Sequence, residues 1–133
     1  MRFALLTYNP PGGREIWAAM TESERQAEED EYLRLVEAMH ARNAYVQASE
    51  FDPAIGPRTV RVRDGDTSVS DGPAVRGEEL LTGYFLIDVE SEDAALDWAA
   101  RIPNARNGSV EVRRVDEDEL AERMAAATAD VPE

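Results

Sequence analysis

An α+β fold built on one antiparallel sheet is the prediction for this 133-residue chain, and three observations make it. Arg2–Tyr8 and Tyr84–Val89 are apolar on both alternating faces, as strands covered on two sides are. Thr59–Arg63 and Ser109–Val115 alternate valine with charge, the mark of half-buried antiparallel strands. Two capped stretches with helical spacing lie between the strands.

In chain order, the first strand stops at Asn9-Pro10-Pro11-Gly12-Gly13, a strong break. Thr21-Glu22-Ser23-Glu24 has the spacing of a capping box, in which the threonine oxygen and the glutamate satisfy each other's backbone donors. The helix it opens carries Tyr32, Leu35, Val36 and Met39 at i, i+3, i+4 and i+7, and Asn43 is its expected end. Tyr45–Ser49 reads as a strand. Thr59–Arg63 and Thr67–Ser70 flank Asp64-Gly65-Asp66, a hairpin signal because glycine supplies the positive φ of a tight turn. Ser91 caps a second helix whose first turn holds Glu92 and Asp93, where the helix dipole favours negative charge. Ala95, Trp98, Ala99 and Ile102 form its inward stripe, and Pro103 stops it. The resulting order is ferredoxin-like βαββαβ with an extra hairpin between its halves. Such a sheet carries helices on one face only, so the other face is expected to be covered by a second copy, and a homodimer follows. From Asp116 seven acids stand against Arg123, with Leu120, Met124 and Ala127 at helical spacing. The expected organisation is one domain over 1–115 and an acidic helix or tail over 116–133, fraying into Asp130-Val131-Pro132-Glu133.

Charge narrows the partners. Twenty-eight acids outnumber fourteen bases, all of them arginine, for a net charge of −14. That balance disfavours direct contact with nucleic acid or with an anionic membrane surface. Cysteine is absent, which removes thiolate nucleophiles and cysteine-based metal sites. One histidine leaves little for a transition metal, and no cofactor is expected. Glu28-Glu29-Asp30-Glu31 points around a helix axis, not at one ion, and reads as a solvated face. No apolar run approaches the roughly 20 residues of a bilayer span, and the expected location is the cytoplasm.

Several segments together resemble a known family. They are Thr59–Gly65, Val69-Ser70-Asp71-Gly72-Pro73, Gly83–Ile87, Ala94–Pro103 and Gly108–Arg113, with Phe3–Tyr8 as the opening strand. The chain resembles the YCII-related family in its DGPF branch. That resemblance implies a ferredoxin-like fold of the dimeric α/β-barrel type, usually homodimeric. Many members of the branch resemble regulatory companions encoded beside, or fused to, extracytoplasmic-function sigma factors, while enzymes of the wider family dehydrochlorinate or isomerise small oxidised aromatics by proton transfer. The sequence departs from the pattern twice. The motif phenylalanine is Ala74, followed by Val75-Arg76-Gly77-Glu78, and the relatives' first-helix histidine has its place near Tyr32, about two turns before the lone His40.

Asp71-Gly72-Pro73 is a turn by mechanism: aspartate bonds the backbone ahead, glycine relaxes φ and proline sets it. Its functional reading puts Asp71 at a cavity mouth, paired with Glu79 to divide base and acid roles. Tyr84 and Arg61 are the candidates to steady an enolate-like anion, and His40 is a further candidate ligand contact. Gly72, Pro73 and Gly83 would set loop geometry. Trp17, Trp98 and Tyr32 read as packing. Two functions compete on these residues: a homodimeric small-molecule-binding or regulatory module, with a sigma factor or a small aromatic or lactone ligand as partner, and a small dehydrochlorinase- or muconolactone-isomerase-like lyase or isomerase working by carboxylate proton transfer. The first is preferred.

Overall fold

The computed structural model describes residues 1–127, so the expected fraying of 130–133 lies outside the described residues. Eleven elements follow one another. They are β1 (Arg2–Asn9), α1 (Gly13–Ala19), α2 (Glu22–Ala41), β2 (Tyr45–Glu50), β3 (Arg58–Arg63), β4 (Asp66–Asp71), β5 (Leu80–Asp88), α3 (Glu92–Arg101), α4 (Asn104–Asn107), β6 (Ser109–Arg114) and α5 (Glu119–Ala127). Four strands form one antiparallel sheet in the order β2-β5-β1-β6, while β3 and β4 pair only with each other. Set the hairpin aside and the order is that of a ferredoxin-like α+β fold.

Register explains the two faces of the sheet. Leu5 lies opposite Phe85 on one side and Val112 on the other, and Phe3 opposite Ile87. Phe3, Leu5, Phe85 and Ile87 are buried, and alternation sends them to one side of the sheet. There they meet Leu35 and Met39 of α2 and Ala95, Trp98 and Ala99 of α3, with Ile102 sealing the end. The opposite face carries Ala4, Leu6, Tyr8, Tyr84 and Leu86, all half-buried.

The helix ends are made by local chemistry. Thr21 Oγ1 accepts from the Glu24 N–H at 3.1 Å, and the Glu24 carboxylate accepts from the Thr21 N–H at 3.0 Å, closing the capping box of α2. Beyond α2, Asn43 enters the left-handed region (φ 55), and the Ala44 N–H donates to the Met39 carbonyl at 2.8 Å. Ser91 Oγ accepts from the Ala94 N–H at 3.1 Å at the start of α3. Asp64 and Gly65, at φ 51 and 80, make the tight turn between β3 and β4.

Two short helices lie outside the sequence expectation. α1 occupies the stretch after the Pro-Pro-Gly break and buries no side chain, so no apolar stripe announces it. α4 is a single turn started by Pro103, whose helical φ of −51° suits a first position even as it ends α3. No helix of the described residues is long and apolar enough to cross a membrane.

Candidate functional site

Beneath the helices, the end of β1 collects polar side chains. β5 carries an extra residue there: Thr7 pairs with Gly83 and Tyr8 with Leu81, so Thr82 has no partner in the ladder. Bulges of this kind re-aim side chains beside functional sites. The Thr82 hydroxyl lies 3.1 Å from that of Thr7 and 3.2 Å from the Thr7 carbonyl. Gly83 is required beside it, because a Cβ would run into the Ser49 carbonyl of β2.

Three elements then build a hydrogen-bonded chain. Tyr32 of α2 donates its hydroxyl proton to Asn104 Oδ1 of α4. Asn104 Nδ2 donates to Asn9 Oδ1 at 2.9 Å and points at the Tyr8 carbonyl at 3.4 Å. Asn104 is one of two buried polar residues of the described chain, the other being Thr7. Burial pushes the Tyr32 hydroxyl far above the ordinary tyrosine range; Glu28, Glu50 and Glu31 push the same way and Arg106 opposes them. The phenol is therefore protonated at neutral pH, a fixed donor and not a base. Outside this chain, Arg106 grips Glu31 with two parallel bonds, Nη2 to Oε2 at 2.9 Å. The hydrogen bond from Arg106 holds the Glu31 carboxyl below the usual carboxylate range.

The residues singled out from sequence are dispersed around this centre. Asp71 ends β4 with a side chain 93% exposed, 3.3 Å from Arg58 Nε. Glu79 accepts from Ser109 Oγ at 2.9 and 3.2 Å. Each carboxylate thus has its own partner. Arg61 donates from Nη2 to the Ala74 carbonyl at 3.2 Å. Gly72 has φ 106; its N–H donates to the Pro57 carbonyl and its own carbonyl accepts from Thr59 Oγ1, both at 2.8 Å. Pro73 follows it on the surface, and Gly83 sits inside β5, not in a loop. Tyr84 faces the uncovered side of the sheet with its ring 6.2 Å from Phe51. His40, near the end of α2, stacks at 4.2 Å on Tyr45. At the far end of the sheet from Asn104, a recess of about 170 Å³ is lined by Arg42, Asp88, Asp97, Trp98 and Arg101 among others. Arg101 lies 4.5 Å over the Trp98 ring.

Sequence reasoning read Tyr32 as packing and did not single out Asn104. The usable signal was the resemblance, which set the relatives' histidine near Tyr32. Asn104 carried none, because its partners are about 70 and 95 residues away along the chain.

An antiparallel α+β domain with a neutral polar chain between its first long helix and first strand is the class that fold and site define. The chain belongs to the YCII-related domain family, whose model matches residues 1–118. An uncharacterised protein of Rhizobium meliloti (strain 1021) is 33% identical over 121 residues, covering 85% of this chain and 90% of that protein. Among solved structures, the 5-chloro-2-hydroxyhydroquinone dehydrochlorinase of Burkholderia phenoliruptrix AC1100, in complex with 2,5-dihydroxybenzoquinone, shares the fold. Its TM-score is 0.50 at 13% identity, covering 90% of this chain and 98% of that one.

Proposed function

We propose that this protein is a homodimeric small-molecule-binding or regulatory member of the YCII family, of the DGPF type, acting in the cytoplasm. The observation that carries the binding reading is the Tyr32–Asn104–Asn9 chain. While its O–H donates to Asn104, the Tyr32 oxygen keeps lone pairs that can accept from a ligand hydroxyl. The Thr7 and Thr82 hydroxyls at the same end of β1, and Glu50, whose charge acts on Tyr32, add polar groups beside it. Hydroxylated rings are the matching ligands, and 2,5-dihydroxybenzoquinone, bound by the dehydrochlorinase of the same fold, is the natural probe. The dimer reading rests on the half-buried row Ala4, Leu6, Tyr8, Tyr84 and Leu86, with the Glu111–Arg113 ion pair at its border. The proposed domain covers 1–115, followed by the acidic segment.

A second reading is favoured by the activity of that structural neighbour: dehydrochlorination or isomerisation with Asp71 and Glu79 moving the proton, Tyr84 and Arg61 steadying the anion, and His40 as a ligand contact. Titration of the purified protein with 2,5-dihydroxybenzoquinone, followed by thermal unfolding and calorimetry, tests the two together. The binding reading expects a saturable rise in Tm that Tyr32→Phe and Asn104→Ala both reduce, the first by removing the accepting oxygen and the second by removing the group that orients it. No rise in the unaltered protein, or chloride release from 5-chloro-2-hydroxyhydroquinone abolished by Asp71→Asn, overturns it. Co-purification with an extracytoplasmic-function sigma factor is the expected outcome for the regulatory role.

A further inference from the structure

The recess of about 170 Å³ between the ends of α2, β5 and α3 is lined by groups of both signs that do not pair with each other. Arg42 follows α2 and Arg101 ends α3, and their guanidiniums lie 5.9 and 4.5 Å over the Trp98 ring. Asp97 stands one turn before Arg101, a spacing at which opposite charges usually meet, and Glu90 lies just ahead of α3. Among the described residues, none of these four charged side chains forms an ion pair or a hydrogen bond. Asp88, the remaining acid of the lining, is already engaged: the Met1 ammonium lies 3.1 Å from its Oδ1.

Trp98 makes the lining more than a patch of surface charge. The residue is 6% exposed, yet its indole N–H has no acceptor among the described residues and is not sealed from solvent. Such a donor takes its acceptor from water or a ligand. An arginine resting on an aromatic face keeps its planar fork of N–H donors for a carboxylate. The two guanidiniums and the indole therefore favour an anionic group beside Trp98. A plain anion would also face Glu90 and Asp97, and a plain cation would face the two arginines. With Asp88 neutralised, the lining carries two positive and two negative charges, and a ligand bearing one group of each sign meets neither pair with like charge. Val89 and Ala94 add an apolar wall. The volume is below the roughly 300 Å³ at which drug-sized sites begin, so the ligand has few heavy atoms.

We propose that this recess is a binding site for a free α-amino acid. The carboxylate lies between Arg42 and Arg101, the ammonium reaches Asp97 or Glu90, and a small apolar side chain rests on Val89 and Ala94. Arg2 and Asp88 pair at this end of the sheet, whereas Asn9 and Asn104 meet at the other. The site therefore stands or falls apart from the ring-binding reading.

Nuclear magnetic resonance on the full chain tests it. The indole N–H of Trp98, assigned against a Trp17→Phe variant, is followed as each common L-amino acid is added at millimolar concentration. The expected result is a saturable shift with one or more small apolar amino acids. For the strongest binder, the acid lacking the ammonium and the amine lacking the carboxylate (isovalerate and isobutylamine in the case of L-valine) should each bind at least about tenfold more weakly. Arg101→Gln and Asp97→Asn, both at exposed positions of α3, should weaken binding to a similar degree while circular dichroism stays unchanged. Equal binding of the amino acid and its plain acid overturns the amino-acid assignment. A shift that neither variant alters places the binding elsewhere and overturns the site. No saturable shift with any amino acid overturns the proposal outright.

Discussion

Strands β3 and β6 are built from the same kinds of residue and have opposite surroundings. Arg58–Arg63 reads Arg-Thr-Val-Arg-Val-Arg and Ser109–Arg114 reads Ser-Val-Glu-Val-Arg-Arg, each alternating valine with charge. In β6, Val110 and Val112 pack against the core that α3 closes from below. In β3, Val60 and Val62 are exposed on the hairpin. The strand is a local matter of branched side chains and alternation. What its valines contribute depends on whether a helix lies beneath them, because burial of apolar area, not the pleat, supplies most of the stabilisation.

The sharpest way to break this comparison is to make equal deletions in the two regions. Ile87→Ala, at a position with no solvent exposure, should cost about 2–5 kcal/mol in denaturant unfolding, cavity included. Val112→Ala should cost about 1 kcal/mol, and Val62→Ala less than about 0.5 kcal/mol when measured at dilutions where copies separate. Equal costs for the two valines would mean that the hairpin is covered within its own chain.

A smaller effect concerns the polar tie beneath the helices. Tyr32→Phe should destabilise by about 1–2 kcal/mol, since Asn104 is left buried with one partner fewer. The tie also predicts alkaline behaviour. The folded-state pKa of Tyr32 is raised above its unfolded value, so the tie is at full strength below about pH 10 and is lost as pH rises through the unfolded value toward the folded one. Thermal melts across that range should fall more steeply for the unaltered protein than for Tyr32→Phe. Parallel curves would mean that the phenol is solvated.

The smallest effect compares one ion pair from each region. A double-mutant cycle on Glu31–Arg106, a forked pair between α2 and α4, should give about 0.5 kcal/mol at low salt, and Arg58–Asp71 on the hairpin should give less. The pKa of Glu31 is depressed on folding, so its share is present above the ordinary carboxylate value and is lost as pH falls through the folded value. Melts between neutral and acid pH, with and without Arg106→Ala, read it out.

Legibility differed by region in the same way. Thr21 and Glu24 announced the start of α2, Ser91 that of α3, and Asp64-Gly65 the hairpin, because caps and tight turns are made by residues within a few positions of each other. The alternation of Phe3–Tyr8 gave the right strand and the right pair of faces. α1 escaped because it buries nothing and so carries no stripe. The site escaped for a different reason. Tyr32, Asn104 and Asn9 are unremarkable polar or aromatic residues one at a time, and only the packing of α2 and α4 over the end of β1 joins them. Asp71 and Glu79 drew attention through their motif, yet they bond to Arg58 and Ser109 instead.

By itself, the sequence determined the strands and the two long helices, their order, the sheet's two faces and the acidic balance, since each depends on neighbours along the chain or on composition alone. The tertiary structure decided which valines are buried, that the hairpin stands apart from the sheet, and that a tyrosine and two asparagines share their hydrogen bonds. Those outcomes depend on contacts between residues dozens of positions apart, where burial strengthens a hydrogen bond and raises the cost of leaving it unmade.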